Sequence, residues 1–430
     1  MNISILAAGA AGMYCGSCMR DNALAAALMR LDHKVTLIPL YTPLKTEPVS
    51  VSHDEVFFGG VNVYLQHASG LFRRTPRAFD WLLDRNWLLK LAAKYGADTP
   101  PEQLAGLTLS LLQGEQGPAV KELRRLLDFL RDQAKPQLVT LPNLMFIGVA
   151  PTIRRELKVP VVCELTGEDI FLDAMAERDR GMIQEAIRRS VPHVDRFVAT
   201  CAFYADRMAD YLGVRRESID VVYPGIPAEY LRESSASVAE GRPPTVGFLA
   251  RIGPEKGLHK FLDAVLLLAK MPGMDNLRVR AAGYLGRQHE TWYAKEQARL
   301  ARAGFGARAQ FQDEVDRDAK IELLDSLDVF SVPTTYKETK GVSILEAMAR
   351  GVPVVQPAHG AFPEILQLAG GGTLVPPDNA EALARAMYDL LTNPKRRKQL
   401  GDVGRQGVRA GFTDEHMARN MLKVYEAVLA

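Results

Sequence analysis

Two glutamates eight positions apart, Glu338 and Glu346, stand on either side of a helix start in the run from Val332 to Val355. A strand is expected to end at Pro333 and a loop to carry Glu338. A helix should then run from near Gly341 to Gly351, ahead of another strand. The first N–H groups of such a helix, those of Gly341, Val342 and Ser343, have no intrahelical partner and lie at its positive end. One carboxylate can therefore accept from sugar hydroxyls and the other from a ribose, while the amides between them hold phosphate oxygens. Lys340 adds a cation beside the same amides.

A second constellation opens the run Gly247 to Gly257. Arg251 follows a buried strand, and Lys256 precedes a helix with Leu258, Phe261, Leu262, Val265, Leu266 and Ala269 on one face. Ligands of open α/β sheets bind at the C-terminal ends of the strands, so two cations placed there can grip a diphosphate. Arg would act as a fork and Lys as a point charge. A third glycine-rich turn, Gly9 to Ser17, joins the first strand to the helix Asn22–Leu31 and brings Gly12 and Gly16 to a helix start. Its spacing is not the Gly-x-Gly-x-x-Gly of dinucleotide sites, and by itself it reads equally as a tight strand–helix turn.

Two other patterns invite metal chemistry and carry less. Asp316-x-Asp318 sits where a helix begins, and acidic residues are expected there as caps. Cys15-x-x-Cys18 belongs to a set of four cysteines with Cys163 and Cys201, all in the first half and near expected strand ends. A four-cysteine site is one reading and small buried thiols the default. No metal is expected.

The elements that must position these residues alternate as short apolar runs and longer helical segments, the pattern of parallel α/β layers. Strands are expected at Ile3–Ala8, Lys34–Leu40, Gln137–Leu141, Pro160–Leu165, Asp195–Thr200 and Ile219–Tyr223. A second series is expected at Thr245–Ala250, Leu277–Ala282, Ala309–Gln312, Asp328–Val332 and Val352–Gln356. Residues 1–233 form the first expected domain, 234–244 a polar Pro/Gly linker, 245–412 the second domain, and 413–430 a helix returning to the first. A helical insertion at about 71–135 interrupts the first domain. Its segment 73–94 carries six basic residues against Asp80 and Asp84, together with Trp81 and Trp87. Two readings stand: an ordinary amphipathic helix, or a basic tryptophan-bearing face that meets a membrane or an anionic acceptor.

The whole chain, 430 residues with 53 Lys and Arg against 51 Asp and Glu, is too evenly charged to be held on nucleic acid by bulk electrostatics. Its few cysteines suit a reducing compartment, and no apolar run approaches the ~20 residues that span a bilayer. The start has no basic segment ahead of its apolar run and reads as a strand. The expected location is cytoplasmic, peripheral at the inner face of the membrane if the basic helix is used for docking.

In these residues the sequence resembles the retaining GT-B-fold glycosyltransferases of family 4. Glu338 and Glu346 fit the family's pair of glutamates with seven residues between, Glu346–Val354 fits its Glu-Ala-Met-Ala-x-Gly-x-Pro-Val, and Arg251 and Lys256 fit its Gly-Arg-x-x-x-x-Lys-Gly, with Ala250 in place of the first glycine. Gly360–Glu364 and Gly371–Pro377 resemble its C-terminal loops. The resemblance implies two Rossmann-like α/β/α domains facing across a cleft, a C-terminal crossover helix, and transfer of a sugar from a UDP- or GDP-sugar with retention. It implies no cofactor or metal beyond that co-substrate. Arg251, Lys256 and Glu338 would act in catalysis. Gly12, Gly16, Lys340, Gly341, Val342, Ser343 and Glu346 would bind the donor alongside them. Where the family often has a first-domain histidine this chain has Thr166, with Glu168 and Asp169 close by, as the candidate first-domain cleft residues. The acceptor class left open is a small molecule, a glycan or a lipid-linked sugar. A nucleotide-sugar epimerase on the same fold is the alternative, ahead of a two-lobed solute-binding protein or a dinucleotide oxidoreductase.

Overall fold

A computed structural model describes residues 1–9, 16–46, 50–58, 101–231 and 241–430. Gly12, Cys15, the basic segment 73–94 and linker residues 234–240 lie outside them. The chain divides into two compact units, Met1–Tyr223 with Met417–Ala430, and Pro224–His416. Each is built around a six-stranded, all-parallel sheet.

In the first unit the strands are β1 (Asn2–Ala7), β2 (Lys34–Pro39), β3 (Leu138–Leu141), β4 (Val161–Leu165), β5 (Arg196–Ala199) and β6 (Ile219–Val221), in the order β2-β1-β3-β4-β5-β6. β3 and β4 are buried along their whole length, as strands covered on both faces must be. Helix α1 (Gly16–Arg30) crosses from β1 to β2, burying Leu24 and Leu28. Between β2 and β3 the insertion supplies α2 (Pro101–Leu112) and α3 (Val120–Phe129), the latter extended by a wide turn, Leu130–Ala134, that stops at left-handed Lys135. After β3 come α4 (Ala150–Leu157), α5 (Asp169–Asp173), α6 (Glu177–Ser190) and α7 (Ala202–Leu212).

The second unit holds β7 (Thr245–Leu249), β8 (Arg278–Ala282), β9 (Ala309–Gln312), β10 (Val329–Phe330), β11 (Val354–Pro357) and β12 (Gly372–Val375), ordered β12-β11-β10-β7-β8-β9. Its helices are α8 (Leu258–Leu268), α9 (Glu290–Leu300), α10 (Arg317–Asp325), α11 (Val342–Ala349), α12 (Phe362–Ala369), α13 (Ala380–Leu391) and α14 (Pro394–Gly411). The strand order reverses between β7 and β10, and a crevice opens at the C-terminal ends of strands at such a switch point. The loops after β7 and β10 carry Arg251, Lys256 and Glu338.

The closing helix α15 (Asp414–Leu429) belongs to the first unit from Met417 onward. Its Met417, Ala418, Met421 and Tyr425 join Ile3, Ile5, Leu24 and Val162 in one core. The Thr140 hydroxyl donates to the Tyr425 oxygen at 2.9 Å, so the buried phenol does not go unpartnered.

Three expectations change. The break between units falls at Tyr223–Pro224, earlier than the linker, because the stretch after it packs on the second unit. Ile226 bridges to Thr413, and a Cβ at Gly225 would stand 2.3 Å from the Thr413 carbonyl oxygen. Strand β12 was expected as a loop; only Val375 of its four residues is buried, so it lacks an apolar run. Helix α14 was not expected, since glycine costs about 1 kcal/mol in a helix interior. Here the glycines are contact points. Cβ atoms at Gly401 and Gly407 would stand 2.1 Å from the carbonyl oxygens of Gly351 and Ala369, and one at Gly404 would stand 2.9 Å from the Gly371 Cα.

Candidate active site

The loop after β7 turns through Pro254–Lys256 and hands over to α8 at Gly257. Gly257 has φ +77°, and a Cβ there would lie 1.8 Å from the Pro333 carbonyl oxygen, so only glycine lets this turn meet the loop after β10. The Thr335 amide donates to the Glu255 carbonyl at 3.0 Å and closes the same contact. This local docking brings together two stretches that are 82 positions apart at Lys256 and Glu338.

Glu338 is the centre of the joined loops. Its Oε2 accepts from Lys256 Nζ at 2.7 Å and from the Tyr336 hydroxyl at 2.7 Å. Its Oε1 accepts from the amides of Thr339 at 3.0 Å and Lys340 at 3.2 Å. Lys256 Nζ also contacts the Tyr336 hydroxyl and lies 4.8 Å from the centre of that ring. Burial works against the Glu338 charge, but Lys256 and the four hydrogen bonds outweigh it and hold the carboxyl at a pKa of about 2. Burial, with the Glu338 charge next, pushes the Tyr336 hydroxyl well above its ordinary value. Lys256 and Glu338 thus form an ionised pair with side chains 19% and 12% exposed.

From the other side Gly360 braces the loop. At φ +60°, a Cβ on it would sit 2.4 Å from the Glu338 carbonyl oxygen, and the Ala361 amide donates to that oxygen at 2.7 Å. His359 Nε2 lies 3.1 Å from the Thr334 carbonyl oxygen; since a carbonyl only accepts, this nitrogen carries the proton.

Gly341 caps α11 in the left-handed conformation with φ +63°, and no side chain caps the helix start. Val342 and Ser343 open the helix. Glu346 lies one turn further on, where burial raises its pKa against the opposing pull of the Lys320 charge. The far end is fixed by Arg350, whose guanidinium binds Asp325 at 2.7 and 2.8 Å and donates to the Tyr230 carbonyl at 3.1 Å. Arg251 is half exposed and paired with Glu255. In the second unit, then, the structure brings Arg251, Lys256, Glu338, Lys340 and the α11 start into adjoining loops.

In the first unit Gly16 is the first residue of α1, and among the described residues nothing lies within 4 Å of where a Cβ on it would stand. The candidates after β4 turn inward. Glu168 accepts from the amides of Leu144 at 3.1 Å and Thr166 at 2.7 Å, and burial raises its pKa. Asp169 accepts from the Tyr204 hydroxyl at 2.9 Å and from Arg207 at 2.6 Å. Both side chains serve local architecture, and Thr166 is the half-buried residue of the three. Cys18, Cys163 and Cys201 are buried thiols, and among the described residues no three His, Cys, Asp or Glu side chains converge as a metal site. Asp316 accepts from the Ala319 amide at 2.9 Å, an N-cap as its position suggested.

Tyr336 and Gly360 are the residues that sequence reasoning missed. Tyr336 stands inside the motif, but nothing in its spacing shows that its hydroxyl lies between a lysine and a glutamate. The buried pair of Arg20 with Glu164, each side chain 2% exposed, was missed for the same reason.

Two parallel α/β sheets, the second with paired cations and a helix start at its switch point, are the architecture of GT-B proteins. The Anabaena protein HepE, solved in complex with UDP, aligns over 99% of this chain and 100% of its own with a TM-score of 0.67 at 16% identity. Sucrose-phosphate synthase from Thermosynechococcus elongatus aligns over 99% and 98% with a TM-score of 0.72, also at 16% identity. Residues 232–407 match the family described as glycosyl transferases group 1, and residues 20–225 match the glycosyl transferase 4-like domain. The chain belongs to the group 1, family 4 glycosyltransferases. A phosphatidyl-myo-inositol mannosyltransferase of Mycobacterium leprae is 34% identical over 199 residues, which is 45% of this chain and 50% of that protein. The lipopolysaccharide core biosynthesis mannosyltransferase LpcC of Rhizobium leguminosarum is 26% identical over 76% of this chain and 86% of its own. The first of these matches spans about half the relative's length.

Proposed function

We propose that this protein transfers a sugar from a nucleotide diphosphate sugar to an acceptor hydroxyl, with retention at the anomeric carbon and without a metal ion. The observation that carries the reading is the constellation of Arg251, Lys256, Glu338 and the α11 start, which no side chain caps, at the switch point of the second sheet. Breaking the anomeric bond builds positive charge on the sugar and negative charge on the departing diphosphate. Preorganised donors aimed at that charge are worth ~3 kcal/mol each in comparable sites. Arg251, Lys256 and the Gly341–Ser343 amides supply such donors and take the place a divalent cation would otherwise have. Lys340 adds to their field. Glu338 orients the donor sugar, and Glu346 accepts from the ribose. The relatives named above act on mannosyl donors and lipid or lipopolysaccharide acceptors by their names, which favours a UDP- or GDP-hexose and a glycan or lipid-linked acceptor. The location this implies is the cytoplasm. Among the described residues no helix is long and apolar enough to cross a membrane.

The test is a panel of UDP-, GDP- and ADP-sugars, scored for thermal stabilisation and for acceptor-free hydrolysis. A ligand that binds only the native state at a hundredfold excess over its Kd stabilises by about 2.7 kcal/mol. Arg251→Ala is expected to lower turnover by ~10²-fold or more. Near-normal turnover in that variant removes the diphosphate assignment, and an isomerised donor in place of a transferred sugar makes the protein an epimerase.

A further inference from the structure

Helix α14 has an electrostatic arrangement that folding does not favour. Its first turn holds Lys395, Arg396, Arg397 and Lys398 with no acidic residue, at the end where the helix dipole is already positive. Arg397 is answered by Asp328 at 3.3 Å and Lys398 by Asp402 at 2.5 Å. Lys395 and Arg396 are exposed, and Asn393 satisfies the helix amide of Arg396 at 3.0 Å, so the charge on offer is that of side chains.

The apolar part of the same surface follows from the glycines. With Gly401, Gly404 and Gly407 pressed on the body of the unit, the opposite side of α14 is left to solvent. It forms an open groove of about 550 Å³ lined by Lys395, Lys398, Gln399, Asp402, Val403 and Gln406. Val403 is 43% exposed. It lies against the end of α12, since a Cβ at Gly370 would stand 2.5 Å from its Cγ1. Two residues before that glycine is Leu368, at 56% the most exposed large hydrophobic side chain among the described residues.

We infer that this face of α14 docks on an anionic lipid surface. A cationic rim would meet the headgroups while Val403 and Leu368 enter the headgroup–acyl boundary. Charge complementarity selects a polyanion, and the exposed aliphatic side chains beside it select a bilayer over a soluble one. The surface lies outside the donor loops.

Each Lys or Arg near an anionic bilayer contributes about a fivefold factor in partition, so neutralising two should cost about 30-fold. The full chain is centrifuged with sucrose-loaded vesicles of phosphatidylcholine, or of phosphatidylcholine with phosphatidylglycerol, over a range of salt. Sedimentation with the anionic vesicles only, weakening as salt rises, is expected. K395Q with R396Q should reduce partition about 30-fold, and V403S should reduce it without changing the salt dependence. All these residues are exposed, so circular dichroism should match that of the unaltered chain. The inference is overturned if the chain ignores anionic vesicles, or if the double variant partitions like the unaltered chain. It is equally overturned if V403S has no effect while heparin binds as tightly as vesicles, which assigns the face to a soluble polyanion. No donor or turnover enters the assay, so its outcome is independent of whether the proposed sugar transfer is correct.

Discussion

Replacing Lys256 by Ala strikes the more buried of the charge pairs Lys256–Glu338 and Arg251–Glu255. Glu338 has a pKa of about 2 in the fold against an ordinary 4.5, despite burial that pushes the other way. A depressed carboxylate stabilises the fold fully above its unfolded value, and that stabilisation is lost as pH falls from about 4.5 through 2. At about 1.4 kcal/mol per tenfold change in proton affinity, the pair and its hydrogen bonds contribute ~3 kcal/mol at neutral pH. Removing one partner of a buried pair costs ~3 to 5 kcal/mol. Here the Tyr336 hydroxyl and two amides remain on the carboxylate, so a loss of ~2 to 3 kcal/mol is expected. Native-state hydrogen exchange at the β7 and β10 amides reports the second unit by itself. The gap between K256A and the unaltered chain should be widest at pH 7 and close below about pH 4.5, because Glu338 in the variant then protonates while the unaltered chain loses its own advantage. A loss under ~1 kcal/mol at pH 7, or a gap that stays constant down to pH 3, would refute the ion-pair reasoning.

Gly360→Ala should leave the fold intact by circular dichroism but lower turnover by ~10²-fold, since a Cβ at φ +60° and 2.4 Å from the Glu338 carbonyl oxygen must move that loop. Arg20→Met should lower the urea stability of the first unit by ~3 to 5 kcal/mol, because Glu164 would keep its buried charge without the Arg20 guanidinium. Adding Glu164→Leu should recover most of that loss, and a double variant as weak as the single would point to a larger polar cluster. Asp316→Ala should cost ~1 kcal/mol for its lost cap and leave turnover unchanged, with or without a chelator; a chelator-sensitive rate would reopen the metal question.

Much of the second unit was legible because its chemistry and its local structure share the same residues. The β7 strand is buried along its length and stands out as an apolar run, and the glycines and charges that follow mark the loop that leaves it. α14 fails the same reading for a physical reason. A glycine in sequence signals a place where the chain lacks a side chain, and that serves a turn or a close packing equally well. At Gly257, with φ +77°, it serves the turn; at Gly401 and Gly407 it serves helix packing. Only the neighbours decide, and the neighbours are distant in sequence. The β12 strand shows the opposite limit, because a half-exposed edge strand carries no continuous apolar run to find.

The site itself divides along the same line. Which residues carry charge was visible from their spacing, but the partner that each charge meets was not. Lys256 was expected to face a diphosphate, and its Nζ lies on Glu338 and Tyr336. The two readings are compatible in physical terms. A lysine already paired with a buried carboxylate is held in one place, and loss of the ordering cost makes it a better phosphate ligand than a free surface lysine. The same pair keeps Glu338 ionised, and thus able only to accept hydrogen bonds, across the whole pH range in which a sugar hydroxyl must donate to it. If that is its purpose, Lys256→Arg should preserve stability better than K256A, yet recover turnover only in part, because a planar fork cannot reproduce a point charge between a phenol and a carboxylate. A K256R variant with full turnover would show that any cation suffices and that the Tyr336 contact is incidental.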